Sequence, residues 1–575
     1  MERFASFYQK YFFSYENLIG VIFALFLIAF MFLPTIIFGV GNFYDMRFHM
    51  SWFLSVREQI GHGQLYPRWL PDQMSGMGSP AFYFYPPFAT YFFILTDFLT
   101  FNSLPPQNLI PFASFFMTCL SGGTFFIWVK NFASRYAAFF LSVFYAIAPY
   151  HFGVDYHSRG AMAEFAAFIW VPLIFAGIYG IIEKQKIFWM PILCIGIAGL
   201  FFTHLLTALI IGPPAALYSL LLLLKSPHKI KSVITLGVSG LTGMGLATAY
   251  YLPALSLFNE INNAALYQWA IDDSFITRVF SEADAAKKNS LMQVFIVASL
   301  YLGVAATVAF AALREKNIRP VLFWVGICVF SYFIMSGFFS FIFAQPSPYR
   351  DIQFVWRILT IMEFAAITAV AILLRNGLMS GINRIARIFS ILILITLIAL
   401  QCYHVIDRTR GAKQRQSIMT TETVLQRFSP PEYFPGGTDF TIDDMPQRLG
   451  DYKIQDDLAR IVEGSGKILS VEKDNTDFII RYSSVEPVTI NLKQFYFPGW
   501  QARTDGIDLE ITPATKDSLI SVQAPAGDHR LIMSRVQTDI ENMAKTISFI
   551  SILSLILIGI YVMKGRIKNY RSCGV

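Results

Sequence analysis

Asp45 and His49 lie four residues apart in the stretch Gly41 to Pro87, which follows the first long apolar run and crowds Asp45, Arg47, His49, Arg57, Glu58, His62, Arg68 and Asp72 among aromatics, glycines and prolines. On a helix, residues i and i+4 share a face, so this carboxylate and imidazole would point the same way, with Arg57 about two turns further on. A carboxylate there can act as general base on a hydroxyl. Arginine and histidine can receive a phosphate leaving group through charge-assisted hydrogen bonds. Polar groups at the edge of hydrocarbon are costly to place and mark a functional site by default; the plain alternative is a wet loop with amphipathic helices and no chemistry. An Asp-x-x-x-His pair supplies only part of a metal's ligand set. A divalent cation at Asp45 and His49 therefore stays open, with Asp155, His157 or His204 as further donors.

The elements that must position these residues are membrane helices. Over 575 residues the chain is 55% hydrophobic and only 14% charged, with mean hydropathy +0.50, far outside the soluble globular range. Apolar runs long enough to cross a hydrocarbon core of ~30 Å occur about a dozen times. Nucleic acid is not indicated: the net charge of +7 matters by position, because Lys and Arg at the ends of spans report topology. The five cysteines lie far apart and form no CxxC pair, so they read as small core residues. The first apolar run continues too far for a cleavable signal and should remain as an anchor.

Arg3 and Lys10 place the N-terminus in the cytoplasm and the 41–107 loop outside. Pro87 to Phe101 would reach only ~22 Å as a helix and carries Asp97, so it is read as lying in the outer interface. With that segment not crossing, the later spans deliver the basic clusters inward: Lys130 and Arg135, Lys184 and Lys186, Lys225 to Lys231, Arg314 to Arg319, Arg375 to Arg387, and Lys564 to Arg571. The spans include Tyr136–Pro149, Ile388–Tyr403 and a last one, Thr546–Met563. Outside, the same topology gathers the loop Tyr150–Arg159 with Asp155, His157 and Arg159, then His204, then Tyr349–Arg357. The expected organisation is a transmembrane domain over 1–405, an exterior, mostly β domain over 406–545, and a final span with a basic tail over 546–575. Alternating runs such as Asp477-FIIRY, Val488-TINL, Ile520-SVQA and Arg530-LIMS, with turns at Asp505-Gly506 and Pro525-Ala-Gly527, predict a β-sandwich. Phe495-Tyr-Phe-Pro-Gly-Trp500 reads as an aromatic turn that packs the sandwich or docks it.

Several motifs carry a resemblance. Asp45 behind the first span, Ile60-Gly-His-Gly-Gln-Leu-Tyr66-Pro67-Arg68-Trp69, Gly76-Met-Gly78-Ser-Pro80 and Phe84-Tyr85-Pro86-Pro87 resemble the bacterial membrane proteins called 6-pyruvoyl-tetrahydropterin synthase-related. Those proteins are in turn similar to GT-C glycosyltransferases. The closing Tyr496-Phe-Pro-Gly-Trp500, Asp505-Gly506 and Ala524-Pro-Ala-Gly527 are similar to the end of a lipoteichoic-acid glycosylation family. The resemblance implies a polytopic α-helical protein of GT-C type with about 12 spans and a C-terminal exterior β-sandwich, in a bacterial cytoplasmic membrane with both termini cytoplasmic. Its expected activity is inverting transfer of a sugar from a polyprenyl-phosphate donor to a glycan, lipid or protein acceptor. Asp45 matches the superfamily's catalytic carboxylate. Where many members carry two adjacent acidic groups, this chain has Tyr44-Asp45-Met46, which bears on any metal requirement. Candidates to bind phosphate or orient the acceptor are Arg47, His49, Arg57, Arg68, Asp155, His157, Arg159, His204 and Arg357. The rival readings are a transporter or flippase of lipid-linked glycans, and a scaffold for envelope assembly without catalysis.

Overall fold

The computed structural model describes residues 15–40, 45–263, 271–313, 318–344, 347–375, 429–436, 458–514 and 518–572, with isolated helical positions 392, 396 and 399. The predicted span Ile388–Tyr403 lies outside the described residues apart from those positions. Long apolar helices dominate: α1 (Tyr15–Phe38), α2 (Met46–Gly61), α3 (Phe88–Leu99), α4 (Pro106–Val129), α5 (Arg135–Ala146), α6 (Pro149–Arg159), α7 (Met162–Ala167), α8 (Val171–Ile182), α9 (Trp189–Thr203), α10 (Leu205–Lys225), α11 (Lys229–Ser256), α12 (Ala285–Ala312), α13 (Arg319–Met335), α14 (Leu359–Arg375) and α15 (Asp539–Ser572). Among the described residues, nine stretches are long and apolar enough to cross a membrane, α5 running on into α6 and α7 into α8. The helix α3 has 12 residues, about 18 Å at 1.5 Å per residue, and stays short of a span.

One end of the bundle is basic. Lys184 donates from Nζ to the Asn131 side chain, and Gln185 Nε2 donates to Ser232 Oγ at 3.0 Å. The turns bearing Lys130, Lys184, Lys186, Lys229 and Lys231 are thereby drawn together. At the opposite end lie α2, the 62–87 loop and the β-sandwich. Large aromatics fill the bundle between: Trp128, Phe175, Trp324 and Phe364 pack edge and face at 4.9–6.1 Å. Between membrane helices such rings contribute through close van der Waals packing rather than through removal from water.

The predicted loop Tyr150–Arg159 is instead wound into the wide π-type helix α6. Pro149 opens it with a fixed φ and no N–H to satisfy. The next two orphan donors, the N–H groups of Tyr150 and His151, meet the Glu363 carboxylate of α14 at 3.0 and 3.4 Å, and Tyr301 Oη donates to the same carboxylate at 2.6 Å. A helix start deep in apolar surroundings needs such a partner, because water is not there to supply one. The sequence showed the aromatic and polar residues of α6, not the carboxylate that lets it wind.

The sandwich runs from β1 (Ala459–Glu463) through β2 (Gly466–Asp474), β3 (Asp477–Ser484), β4 (Val488–Phe495), β5 (Trp500–Thr504), β6 (Ile507–Leu509), β7 (Ile511–Pro513) and β8 (Leu519–Ala524) to β9 (Gly527–Arg535). One sheet has the order β1-β4-β8-β7 and the other β2-β3-β9-β5-β6, every pairing antiparallel. Phe478, Ile480 and Tyr482 alternate into its core, as a two-residue period requires. Both predicted turns join consecutive strands, Asp505-Gly506 between β5 and β6 and Pro525-Ala-Gly527 between β8 and β9. The aromatic turn docks the sandwich on the first loop: Trp69 lies 6.0 Å from Phe497 and 5.9 Å from Trp500, ring centre to ring centre. Gln494 accepts the Trp69 indole N–H at 3.0 Å and donates to the carbonyls of Pro71 and Gly76.

Candidate functional site

Asp45 is the residue before α2. Its backbone N–H donates to the Arg159 carbonyl at 3.2 Å, which ties the start of α2 to the end of α6. The approach is close because Gly160 takes a left-handed φ of +68°; a Cβ there would sit 3.1 Å from the Met46 Cβ and 3.2 Å from its nitrogen. Only glycine adopts that conformation without steric cost. The Asp45 carboxyl does not cap α2 and makes no hydrogen bond among the described residues. Burial pushes it above the usual aspartate range, against the Arg159 and Arg357 charges that pull it down, with Glu164 adding to the upward push.

Around it stands a network built from α6, α7 and the turn before α14. Arg159 Nη1 donates to Glu164 Oε2 at 2.8 Å and to Asp155 Oδ1 at 3.1 Å. Arg357 Nε reaches the same Glu164 oxygen at 3.1 Å, and its Nη1 donates to the Ile352 carbonyl. Tyr150 Oη donates to the other Glu164 oxygen at 2.5 Å. Two guanidiniums thus share one carboxylate, 1% exposed, while Phe354 lies under both at 5.7 and 5.3 Å. Among the described residues neither Nη2 group makes a hydrogen bond. That leaves donors of both arginines for an oxyanion, the bidentate geometry that phosphate favours.

His49 is fully buried. Its Nε2 accepts the Met162 N–H at 3.3 Å and lies 3.3 Å from Tyr85 Oη. Burial pulls the imidazole down to about 3, so the ring is neutral at physiological pH, with its proton on Nδ1. Burial also pushes the Tyr85 hydroxyl up, the Asp45 charge adding to it; Tyr85 therefore remains a donor. His49 Nε2 is thus engaged, and among the described residues no three His, Cys, Asp or Glu side chains are arranged to hold a metal ion.

The other sequence candidates separate. Asp155, Arg159 and Arg357 join Asp45. His157 is buried behind them, edge-on to Phe152 at 4.6 Å and Tyr156 at 4.8 Å. His204 breaks the chain between α9 and α10, its Nδ1 2.7 Å from Thr207 Oγ1, and lies within the field of Glu164. Arg47 is exposed over the Phe48 ring at 4.7 Å, though its charge reaches Asp45. Arg57 pairs with Asp97 of α3 at 3.1 Å. Arg68 is not in the pocket: Nη1 donates to Glu541 of α15 at 2.7 Å and Nη2 to the Ala249 carbonyl. Sequence reasoning missed Glu164 and Glu363. Their signal was a lone carboxylate inside an apolar helix, where a charge persists only with a partner.

Fold and site together define a class: a multi-pass helical membrane protein with a buried acid–arginine cluster at one end of its bundle and a β-sandwich clamped beside it. No protein-family model matches the chain. It is similar to an uncharacterized protein of Lactococcus lactis subsp. cremoris (strain MG1363), 25% identical over 259 residues, which make up 43% of this chain and 41% of that protein's length. Among solved structures it is similar to the cryo-EM structure of the arabinofuranosyltransferase AftD from Mycobacteria, with TM-score 0.43 and 13% identity over 75% of this chain and 28% of that one.

Proposed function

We propose that this protein is an inverting membrane glycosyltransferase that takes a sugar from a polyprenyl-phosphate carrier at the exterior face of the cytoplasmic membrane. The observation that carries the reading is the Asp45 carboxyl, desolvated and without a hydrogen-bond partner among the described residues, facing two arginines joined through one glutamate. Burial raises its basicity toward the working pH, where a general base is most effective. Asp45 removes the proton from an acceptor hydroxyl as that oxygen attacks the anomeric carbon; the bond from that carbon to the phosphate oxygen breaks and its electrons remain on polyprenyl phosphate. The Nη2 groups of Arg159 and Arg357, without a hydrogen bond among the described residues, receive that phosphate, each hydrogen bond to a charged group contributing about 1.5–3 kcal/mol. His49 and Tyr85 hold α2 and the 84–87 turn in register as neutral groups. The basic end of the bundle faces the cytoplasm, following the positive-inside rule, and the sandwich lies outside, where it presents or covers the acceptor.

The test is polyprenyl-phosphate release in nanodiscs, from a panel of polyprenyl-phosphate sugars supplied with a crude envelope extract. Release that requires the extract, and falls about 10²–10⁴-fold in Asp45→Asn with donor binding retained, supports the reading. Equal release by wild type and Asp45→Asn would overturn it.

A further inference from the structure

At the basic end of the bundle, opposite Asp45, a groove of about 340 Å³ opens between α1, α4 and α5. Its floor is α4, where Gly122 and Gly123 present no side chain, and its walls are α1 at Gly20 and Ala24 and α5 at Phe139 and Val143. Gly122 sets α4 against α5: a Cβ there would sit 3.2 Å from the Ser142 carbonyl oxygen and 3.3 Å from the Ala146 Cβ. Gly123 faces open space instead, with nothing within 4 Å of an added Cβ. Val21 and Leu25 of the α1 wall are exposed, and both belong to a stretch apolar enough to cross a membrane. The groove is therefore entered from hydrocarbon rather than from water. It follows α5 from Arg135 to Ala146, 12 residues or about 18 Å, close to the ~15 Å that one leaflet contributes to the hydrocarbon core.

The mouth of the groove is cationic. Arg135 lines it, and the Lys130 ammonium lies 5.9 Å from the ring centre of Phe126, another lining residue. A hydrogen bond from Lys184 to the Asn131 side chain joins the turns 130–135 and 183–186, whose charged residues are Lys130, Arg135, Lys184 and Lys186 with Glu183. Tyr136, exposed beside Arg135, offers an amphipathic ring at the level where headgroups meet hydrocarbon. We propose that this groove binds an anionic phospholipid of the leaflet at the basic end, one acyl chain lying along α4 and the phosphate received by Arg135 and Lys130. Basic pockets between membrane helices select anionic headgroups in this way. A soluble phosphate would leave the apolar groove unused, and a zwitterionic lipid would gain less from the cations. Chain and headgroup are held by different residues, so each interaction can be removed alone.

The test is native mass spectrometry of the full-length protein, delipidated in detergent and titrated with phosphatidylglycerol or with phosphatidylcholine of the same chains. One phosphatidylglycerol should be retained more tightly than phosphatidylcholine, and Arg135→Gln should weaken it about tenfold or more, the loss of one hydrogen bond to a charged group. Gly123→Leu puts a side chain into the open groove and should abolish retention; Gly212→Leu, on a face of α10 that is equally open, should leave it unchanged. Thermal melting of the delipidated proteins checks each fold. Equal affinity for the two lipids, or a Gly123→Leu protein that melts with the wild type and still retains phosphatidylglycerol, overturns the site. If Gly123→Leu does not fold, a photoactivatable phosphatidylglycerol in nanodiscs decides: labelling concentrated on residues 20–28 and 119–126 supports the groove, and labelling spread evenly over the bundle overturns it. Displacement of that label by an equal concentration of polyprenyl phosphate would overturn the assignment to a phospholipid.

Discussion

Replacing Glu164 with Gln removes the charge on which the site's two guanidiniums converge while keeping the volume and an acceptor for Tyr150. In the wild type, the carboxyls of Asp45, Asp155 and Glu164 face the guanidiniums of Arg159 and Arg357. Each Arg–Glu164 contact is close to 3 Å; at an effective dielectric of about 20, a pair 4 Å apart attracts by about 4 kcal/mol. Two such pairs give about 8 kcal/mol gross, from which the desolvation of one carboxylate, several kcal/mol, must be subtracted. The net loss should be about 3–5 kcal/mol, the range for stripping one partner from a buried pair. A second effect is independent of stability. Glu164 helps to hold the Asp45 carboxyl up, so its neutralisation lets Asp45 ionise at lower pH, and the acid limb of activity should move to lower pH. Thermal unfolding in detergent and a pH–rate profile measure the two. A variant that melts with the wild type and keeps its acid limb would refute the view that Glu164 joins the arginines and sets the field at Asp45.

Arg68→Met should lower stability by about 3–5 kcal/mol, because Glu541 is left buried without its cation, yet leave donor affinity unchanged; weakened donor binding at wild-type stability would place Arg68 in the pocket after all. Gly160→Ala forces a side chain onto a left-handed φ and against Met46, at a cost of about 1 kcal/mol or more, and the loosened Asp45–Arg159 contact should lower kcat about tenfold, as measured by single-turnover release. Since burial keeps His49 neutral down to about 3, wild type and His49→Gln should share one profile shape from pH 5 to 8; a limb near pH 6.5 present only in the wild type would contradict the neutral imidazole. In the wild type, activity should fall on acidification through a value above that of ordinary aspartate, since Asp45, the proposed base, is raised by burial and would act only when ionised.

Helix spans and strands were legible because each follows a local period: long apolar runs for the bundle, alternation in Asp477-FIIRY and Val488-TINL for the sheets. The Asp45–His49 pairing was also local, one helical turn. What sequence could not show was which arginine reaches Asp45. Arg47 and Arg68 are nearer along the chain, yet Arg47 turns outward over Phe48 and Arg68 goes to Glu541, whereas Arg159 and Arg357 arrive from elements more than a hundred residues away. Glu164 decides the matter, since a carboxylate in an apolar helix gathers whatever cations the fold can bring.

Besides presenting an acceptor, as proposed above, the sandwich has contacts that give it a second task. Between α2 and α3 the chain runs through the 62–87 loop with only two single-turn helices, Gln73–Gly76 and Ala81–Phe84, too little regular structure to hold Tyr85 against His49. The restraint comes from outside the loop. Trp69, Met74, Met77 and Tyr83 share one core with Phe478, Ile480 and Phe497 of the sandwich, Arg535 donates to Tyr83 Oη at 2.6 Å, and Glu541, at the head of α15, holds Arg68. Residues 429–436 pack on the same sandwich, Phe434 lying 6.2 Å from Phe495, ring centre to ring centre. A pocket assembled this way loses its aromatic wall when the sandwich is displaced, even though Asp45, Glu164 and both arginines belong to the helical bundle. The sandwich is therefore part of the site's framework, and the bundle without it would retain the charges but not the geometry that lets Asp45 use them.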